Sequence, residues 1–226
     1  IEYQQDKYGY KIANTQEKEI EAQNGYDIYL TIDEKIQRFI ESAIKESQNT
    51  YNPEWMTISV MDAKTGDILG TSSTPSFDPN VRNITNYENI LTSLPFEPGS
   101  TMKTYTYMCA MEKGIYDGNA TFTSGNFQVG EDTINDWNRS GWGTISFDKG
   151  YEYSSNVGIA NLIDRGLSRQ DLYDCFTKYG FGSLTGIELS REQPGKLNFI
   201  YPIEVYTAGF GQGITTTPIQ HLQALT

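Results

Sequence analysis

The stretch Phe96-Glu97-Pro98-Gly99-Ser100-Thr101-Met102-Lys103 constrains this chain more than any other. Pro98 and Gly99 punctuate the backbone, and the apolar-periodic run Met102, Tyr105, Met108, Cys109 predicts a helix that stops near Gly114. Ser100 then falls in the first helical turn, with Lys103 three residues on and on the same face. A hydroxyl and an amine so placed sit within hydrogen-bond reach at the positive end of a helix dipole, which favours an attacking alkoxide. A neutral lysine can take the serine proton, and burial neutralises lysine because desolvation penalises the ammonium. A capping serine followed by a solvated lysine would need no chemistry, so context has to decide.

The pattern Ser-x-x-Lys occurs at Ser42-Lys45, Ser100-Lys103 and Ser146-Lys149. Ser42 and Lys45 lie off the apolar stripe Ile36, Phe39, Ile40, Ala43, Ile44 and therefore face water. Ser146 and Lys149 follow a Gly-Trp-Gly turn in loop-like company. Only Ser100 opens an otherwise apolar helix, where a lysine has no solvated role.

With 226 residues, 37% of them hydrophobic, the chain can bury a sizeable core in one or two domains and is too apolar for disorder. A formal charge of −12 argues against a nucleic-acid partner. No apolar run approaches a membrane span and no signal peptide is visible; Ile1 is not a natural start, so an earlier segment is expected. Cys109 and Cys175 are too few for a thiolate metal site and read as two buried free thiols, with a single bridge as the alternative. No metal and no cofactor are expected. His221 is the only histidine, no Gly-x-Ser-x-Gly elbow accompanies it, and its run Ile219-Gln220-His221-Leu222 suggests a helix surface.

In chain order, residues 1–26 are polar and suggest a ribbon or linker. Residues 27–32 alternate like a strand, and Thr31 with Glu34 suggests a capping box for a helix to about Glu46. Residues 56–63 and 67–72 read as two strands joined by a tight turn, followed by a Pro-rich loop and a polar connection over 83–94. Residues 116–150 suggest short strands and binding loops. Helices are expected over 152–166 and 170–179, and a last one opens at Thr217-Pro218 and runs to the end of the chain. Strands first and helices later suggest α+β.

A second site-like element is the loop-to-helix junction Tyr153-Ser154-Ser155-Asn156. Ser154 is suited to pass a proton and Asn156 to bind a substrate amide, although Ser-Ser-Asn also makes a good helix cap. Lys64-Thr65-Gly66 spells a triplet found in serine acyl enzymes, but it precedes the other motifs and sits between two strand-like runs after Asp62. That is hairpin-turn chemistry.

Taken in order, these elements resemble the transpeptidase domain of class B penicillin-binding proteins, the bacterial cell-wall cross-linking enzymes. The resemblance rests on Tyr29-Leu30-Thr31-Ile32-Asp33 before a helix with Gln37, then Met61-Asp62-Ala63-Lys64-Thr65-Gly66-Asp67-Ile68-Leu69 and Pro75-Ser76-Phe77-Asp78-Pro79-Asn80. It continues through Glu97 to Lys103, Ser154-Ser155-Asn156, Tyr179-Gly180-Phe181-Gly182, Thr185-Gly186-Ile187, Gly211-Gln212-Gly213-Ile214 and Thr217-Pro218-Ile219-Gln220. It implies an α+β fold, a mainly antiparallel sheet flanked by helices beside an all-helical lobe, incomplete here. Residues 1–24 would end a non-catalytic pedestal or linker, and 25–226 would form the N-terminal and central part of the transpeptidase domain.

The implied activity is D,D-transpeptidation of peptidoglycan stem peptides through a serine acyl-enzyme that β-lactams also form. Ser100 would be the nucleophile, Lys103 its base, Ser154 the relay to the leaving D-alanine and Asn156 the holder of the donor peptide. The Ser100 N–H would supply one oxyanion donor. A membrane glycan polymerase and other wall-synthesis proteins would be partners, at the outer face of the bacterial cell membrane, with roles in cell shape and antibiotic resistance. Rival readings are a serine β-lactamase or β-lactam-sensing receptor, and an inactive scaffold of a wall-synthesis complex. Downstream of Ser100 no hairpin comparable to 56–72 is legible and the family's third motif is missing. Thr226 is therefore expected not to be the natural C-terminus, with a further segment pairing beside that hairpin.

Overall fold

The structure, a computed structural model, describes residues 3–15, 18, 21–81, 84 and 86–226. Ile1 and Glu2 of the expected pedestal tail, and Asn83 and Thr85 of the polar connection, lie outside the described residues. The chain divides into two units, Ile1–Thr31 and Ile32–Thr226. In the first, Asp6 Oδ1 accepts from the N–H groups of Tyr8 and Tyr10, and the flanks of that turn meet in a bridge between Gln5 and Lys11. Residues 27–32 do not become a strand, and Ile28 and Leu30 stand exposed. Alternation specifies two faces, but a strand exists only where another segment takes its hydrogen bonds.

The second unit begins with α1 (Glu34–Tyr51), capped by Asp33 rather than by Thr31: the Asp33 carboxylate accepts from Lys35 N and Ile36 N. An aspartate cap also complements the helix dipole, which a threonine cannot. Ile40 and Ile44 of α1 pack on the antiparallel hairpin β1 (Met56–Met61) and β2 (Ile68–Thr74). The approach is close at Gly70, where a Cβ would lie 2.8 Å from Ile40 Cδ1. Gln37 fastens the layer, its amide donating to Thr71 O and accepting from Thr71 N.

The helical part follows a short α2 (Ile90–Ser93): α3 (Met102–Glu112), the antiparallel pair β3 (Thr121–Thr123) with β6 (Thr144–Ser146), the hairpin β4 (Asn126–Val129) with β5 (Asp132–Asn135), then α4 (Phe147–Glu152), α5 (Asn156–Asp164), α6 (Arg169–Lys178), α7 (Pro202–Gly209) and α8 (Pro218–Gln223). Met102, Phe147, Val157, Leu162, Phe176 and Phe181 are fully buried where α3, α5, α6 and α7 meet. Each such side chain contributes roughly 1.5–3 kcal/mol of burial.

Several expectations are corrected. Residues 152–166 are not one helix, because the turn 153–155 separates α4 from α5. Lys149 is helical rather than in a loop, and Ser146, the last residue of β6, caps α4 through Lys149 N. A four-residue-strand hairpin turns at Gly130 downstream of Ser100, and α8 closes on Ala224 instead of running on. Cys109 and Cys175 are joined as a disulfide between α3 and α6, with a Cα–Cα distance of 6.0 Å. Both residues pack toward the core from their helices, as buried thiols would; what spacing along one helix cannot show is that the two faces meet.

His221 turns inward rather than to a surface. Its Nε2 meets Thr216 Oγ1 at 2.8 Å, and its ring packs against Phe96, Tyr105 and Phe181 beside an apolar cavity of ≈ 430 Å³. Burial pulls its pKa from 6.5 down to about 4.

Two measurements follow. The bridge closes a loop with a sequence separation of 66, so Cys175→Ser should lower the unfolding free energy by about 2–4 kcal/mol in urea titrations; an unchanged midpoint would refute the bridge. His221 is held neutral when folded, so its stabilising effect is complete above pH 6.5 and is lost as pH falls toward 4. Up to about 3 kcal/mol should disappear across that window, and His221→Phe should flatten it.

Candidate active site

Pro98 and Gly99 turn the chain into a single 3-10 turn, Gly99–Thr101, that runs directly into α3. The turn is pinned from the other side of the unit: Gly99 N donates to Gly211 O at 2.9 Å, and Glu97 Oε1 accepts from Gly213 N at 2.9 Å. Gly211 has a φ of +82°, and a Cβ there would lie 2.0 Å from Gly99 O. Only glycine fits both demands. The Gly-Gln-Gly segment thus fixes where Ser100 stands.

Ser100 is exposed, whereas Lys103, one turn further in, is 3% exposed. Lys103 Nζ donates to Ser100 Oγ at 3.0 Å, to Ser154 Oγ at 2.9 Å and to the Ser154 carbonyl at 2.6 Å. An ammonium has three protons and no acceptor, so this cradle saturates it. A neutral amine in the same place has a lone pair to offer a hydroxyl proton. Burial pulls the Lys103 pKa from 10.5 down to about 8, and the negative charge of Asp136 partly opposes that fall. The amine is therefore poised where both forms are accessible near neutrality.

Ser154 reaches this cradle because its backbone is left-handed, with φ +54°. Such a conformation is costly for a residue with a Cβ. It is held by Ser154 N donating to Tyr151 O and Ser155 N donating to Gly150 O. Ser155 then caps α5 by accepting from Gly158 N, so the capping role belongs to Ser155 and leaves Ser154 facing the lysine. Asn156 opens α5, and its Nδ2 donates to Asn135 O at the end of β5.

Asp136 and Trp137 also belong to this neighbourhood, and neither carries a sequence signal within its Gly-, Asn- and Asp-rich segment. Asp136, 2% exposed, accepts from Ser155 Oγ, Val157 N and Gly125 N. Trp137 donates its indole N–H to Tyr153 O and packs edge-on to Trp142, which lies 5.0 Å from the Tyr153 ring. Trp137 remains 73% exposed, so the lip beside Ser154 presents an aromatic surface.

The discounted lysines lie elsewhere. Lys64 is exposed on the β1–β2 turn, where Asp62 Oδ1 accepts from Lys64 N and Thr65 N. Ser42 donates to Arg38 O on the outer face of α1, and Lys149 pairs with Glu152.

Comparison with known proteins gives a consistent picture. The family model described as "Penicillin binding protein transpeptidase domain" matches residues 56–226. The chain is 31% identical over 234 residues to "Stage V sporulation protein D" of Bacillus subtilis (strain 168), covering 100% of this chain and 36% of that protein. It is 32% identical over 239 residues to "Peptidoglycan D,D-transpeptidase MrdA" of Escherichia coli (strain K12), covering 92% of this chain and 36% of that protein. The chain thus spans about a third of the length of these curated relatives. Its structure is similar to that of Penicillin Binding Protein 2X from Streptococcus thermophilus, with a TM-score of 0.84 at 30% identity, over 98% of this chain and 34% of that one.

The Lys103 environment is directly measurable. In a folded sample, NMR of the lysine Cε carbons should show the Lys103 side chain titrating near 8, below its ordinary value of 10.5. Between those values the unfolded chain binds the extra proton, so this lysine's contribution to stability rises with pH across the window. A Lys103 midpoint at 10.5 would contradict the buried cradle.

Proposed function

Because this chain belongs to the penicillin binding protein transpeptidase family, we propose that it supplies the nucleophile-bearing part of a D,D-transpeptidase that cross-links peptidoglycan stem peptides and is acylated by β-lactams. The observation that carries this reading is the buried Lys103 amine held between two serine hydroxyls, Ser100 and Ser154.

In the proposed reaction neutral Lys103 takes the Ser100 proton as Oγ attacks the carbonyl of the penultimate D-alanine. The dipole at the start of α3 favours the developing charge, and the Ser100 N–H serves as an oxyanion donor. As the amide bond breaks, the proton passes from Lys103 through Ser154 Oγ to the leaving D-alanine nitrogen. An acceptor amine then attacks the Ser100 ester, its proton returning along the same route to Ser100. Asn156, braced by Asn135, holds the donor peptide amide. A β-lactam ring opened by the same attack leaves its nitrogen attached, so the adduct stays in the site.

Residues 1–24 are proposed as the end of a pedestal and 25–226 as part of the transpeptidase domain. The Cys109–Cys175 disulfide favours an oxidising compartment, which supports action outside the cytoplasm; a membrane glycan polymerase is the proposed partner there. Among the described residues no helix is long and apolar enough to cross a membrane.

Incubation of the full-length protein with a β-lactam, followed by peptide mass spectrometry, should place the adduct on Ser100 and find it long-lived. Lys103→Ala should slow acylation by roughly 10²–10⁴-fold, with Lys64→Ala close to wild type. An adduct on Ser42 or Ser146, equal losses from both lysines, or rapid drug turnover would overturn the reading.

A further inference from the structure

Asp136 is a buried carboxylate whose recorded partners are all neutral. Its Oδ1 accepts from Ser155 Oγ at 2.8 Å and from Val157 N at 3.0 Å, and its Oδ2 accepts from Gly125 N at 2.9 Å. Its own N–H donates to Gly125 O, which fastens the end of β5 to the start of β4. These bonds brace the turn that presents Ser154 and Asn156. An amide of the same shape would keep most of the brace without burying a charge, which is costly unless the charge has a use. The neighbouring group that gains from it is Lys103, the amine clamped on Ser154.

We propose that Asp136 is a positioning residue for the acylation step: it sets the Ser154–Asn156 turn through Ser155 and Val157, and its charge stabilises the ammonium formed when Lys103 takes the Ser100 proton. This rests on the acyl-enzyme reading of Ser100. During acylation the proton moves from Ser100 Oγ to Lys103 Nζ while the Oγ–carbonyl bond forms. The carbonyl–nitrogen bond then breaks, and the proton goes by way of Ser154 to the leaving nitrogen. Along the reactive path, which starts from the neutral amine, Lys103 gains positive charge at the first transfer and loses it at the second, and a fixed carboxylate helps in between.

Other ionisable groups on α3 and on the helices that meet it have partners of their own. On α3 itself, the Tyr105 and Tyr107 hydroxyls donate to His221 O and Phe147 O. On α4, Asp148 takes the Tyr116 hydroxyl, and Lys149 pairs with Glu152. On α7, Glu204 accepts from Ile200 N and Tyr201 N. Asp136 is the charge whose field raises the basicity of Lys103 against its burial.

The test is the rate of Ser100 acylation by a fluorescent penicillin, followed against pH in the full-length protein. Wild type should show a rate that falls on the acid side as Lys103 becomes protonated. Asp136→Asn should move that acid limb to lower pH by about one unit or more and lower the plateau about tenfold, since the base is weaker. Ser155→Ala, which breaks the brace and keeps the charge, should slow the reaction without moving the limb. Asp136→Glu disturbs the same bonds but retains the charge, so its limb should also stay in place; this decides the matter even if the Asn variant fails to fold. An unmoved limb in Asp136→Asn, or a displaced one in Asp136→Glu, would overturn the proposal. A wild-type protein with no Ser100 adduct would overturn the acyl-enzyme reading itself.

Discussion

The site depends on an amine taken out of water. Lys103 stands 3% exposed at the mouth of α3, and a buried amine is tolerated only where every proton meets an oxygen. That requirement fixes the geometry of three distant segments. The turn before α3 must present Ser100 Oγ, and Gly211 must come near enough to Gly99 to hold that turn. The chain between α4 and α5 must bend left-handed so that Ser154 offers both a hydroxyl and a carbonyl. The core of α3, α5, α6 and α7 keeps these segments in register, and the Cys109–Cys175 bridge joins two of its helices.

Much of this was legible in the sequence. A lysine one turn into an apolar helix has no solvated role, so Ser100 and Lys103 stood apart from the two chemically identical pairs at Ser42 and Ser146. The β1–β2 hairpin and its Asp62 turn were readable because alternation and turn chemistry are local. α7 was missed although its signals were present, with Pro202 at the first helical position and Glu204 accepting from Tyr201 N.

What was not legible depends on which faces meet. Asp33 and Thr31 both suit a cap, and only the packed helix chooses between them. The apolar periodicity from Val157 to Ile163 marks a helix without fixing where it starts, and the left-handed bend at Ser154 meets Lys103 of another helix. The disulfide, the inward turn of His221 and the place of Asp136 all follow from contacts between segments remote in sequence. Residues 27–32 show the converse, a good strand pattern in a segment that does not become a strand.

The left-handed backbone at Ser154 separates two jobs that a side chain alone would have to share. Its carbonyl, at 2.6 Å, is the shortest of the three contacts to Lys103 and belongs to the main chain. Whatever residue stands at 154, the anchor for the amine survives as long as the backbone keeps its bend, and only the hydroxyl, proposed above as the relay, is open to substitution. Address and reactivity are thereby encoded in different atoms of one residue. Divergence within such a scaffold can change the hydroxyl beside the amine while the amine stays where the fold has put it.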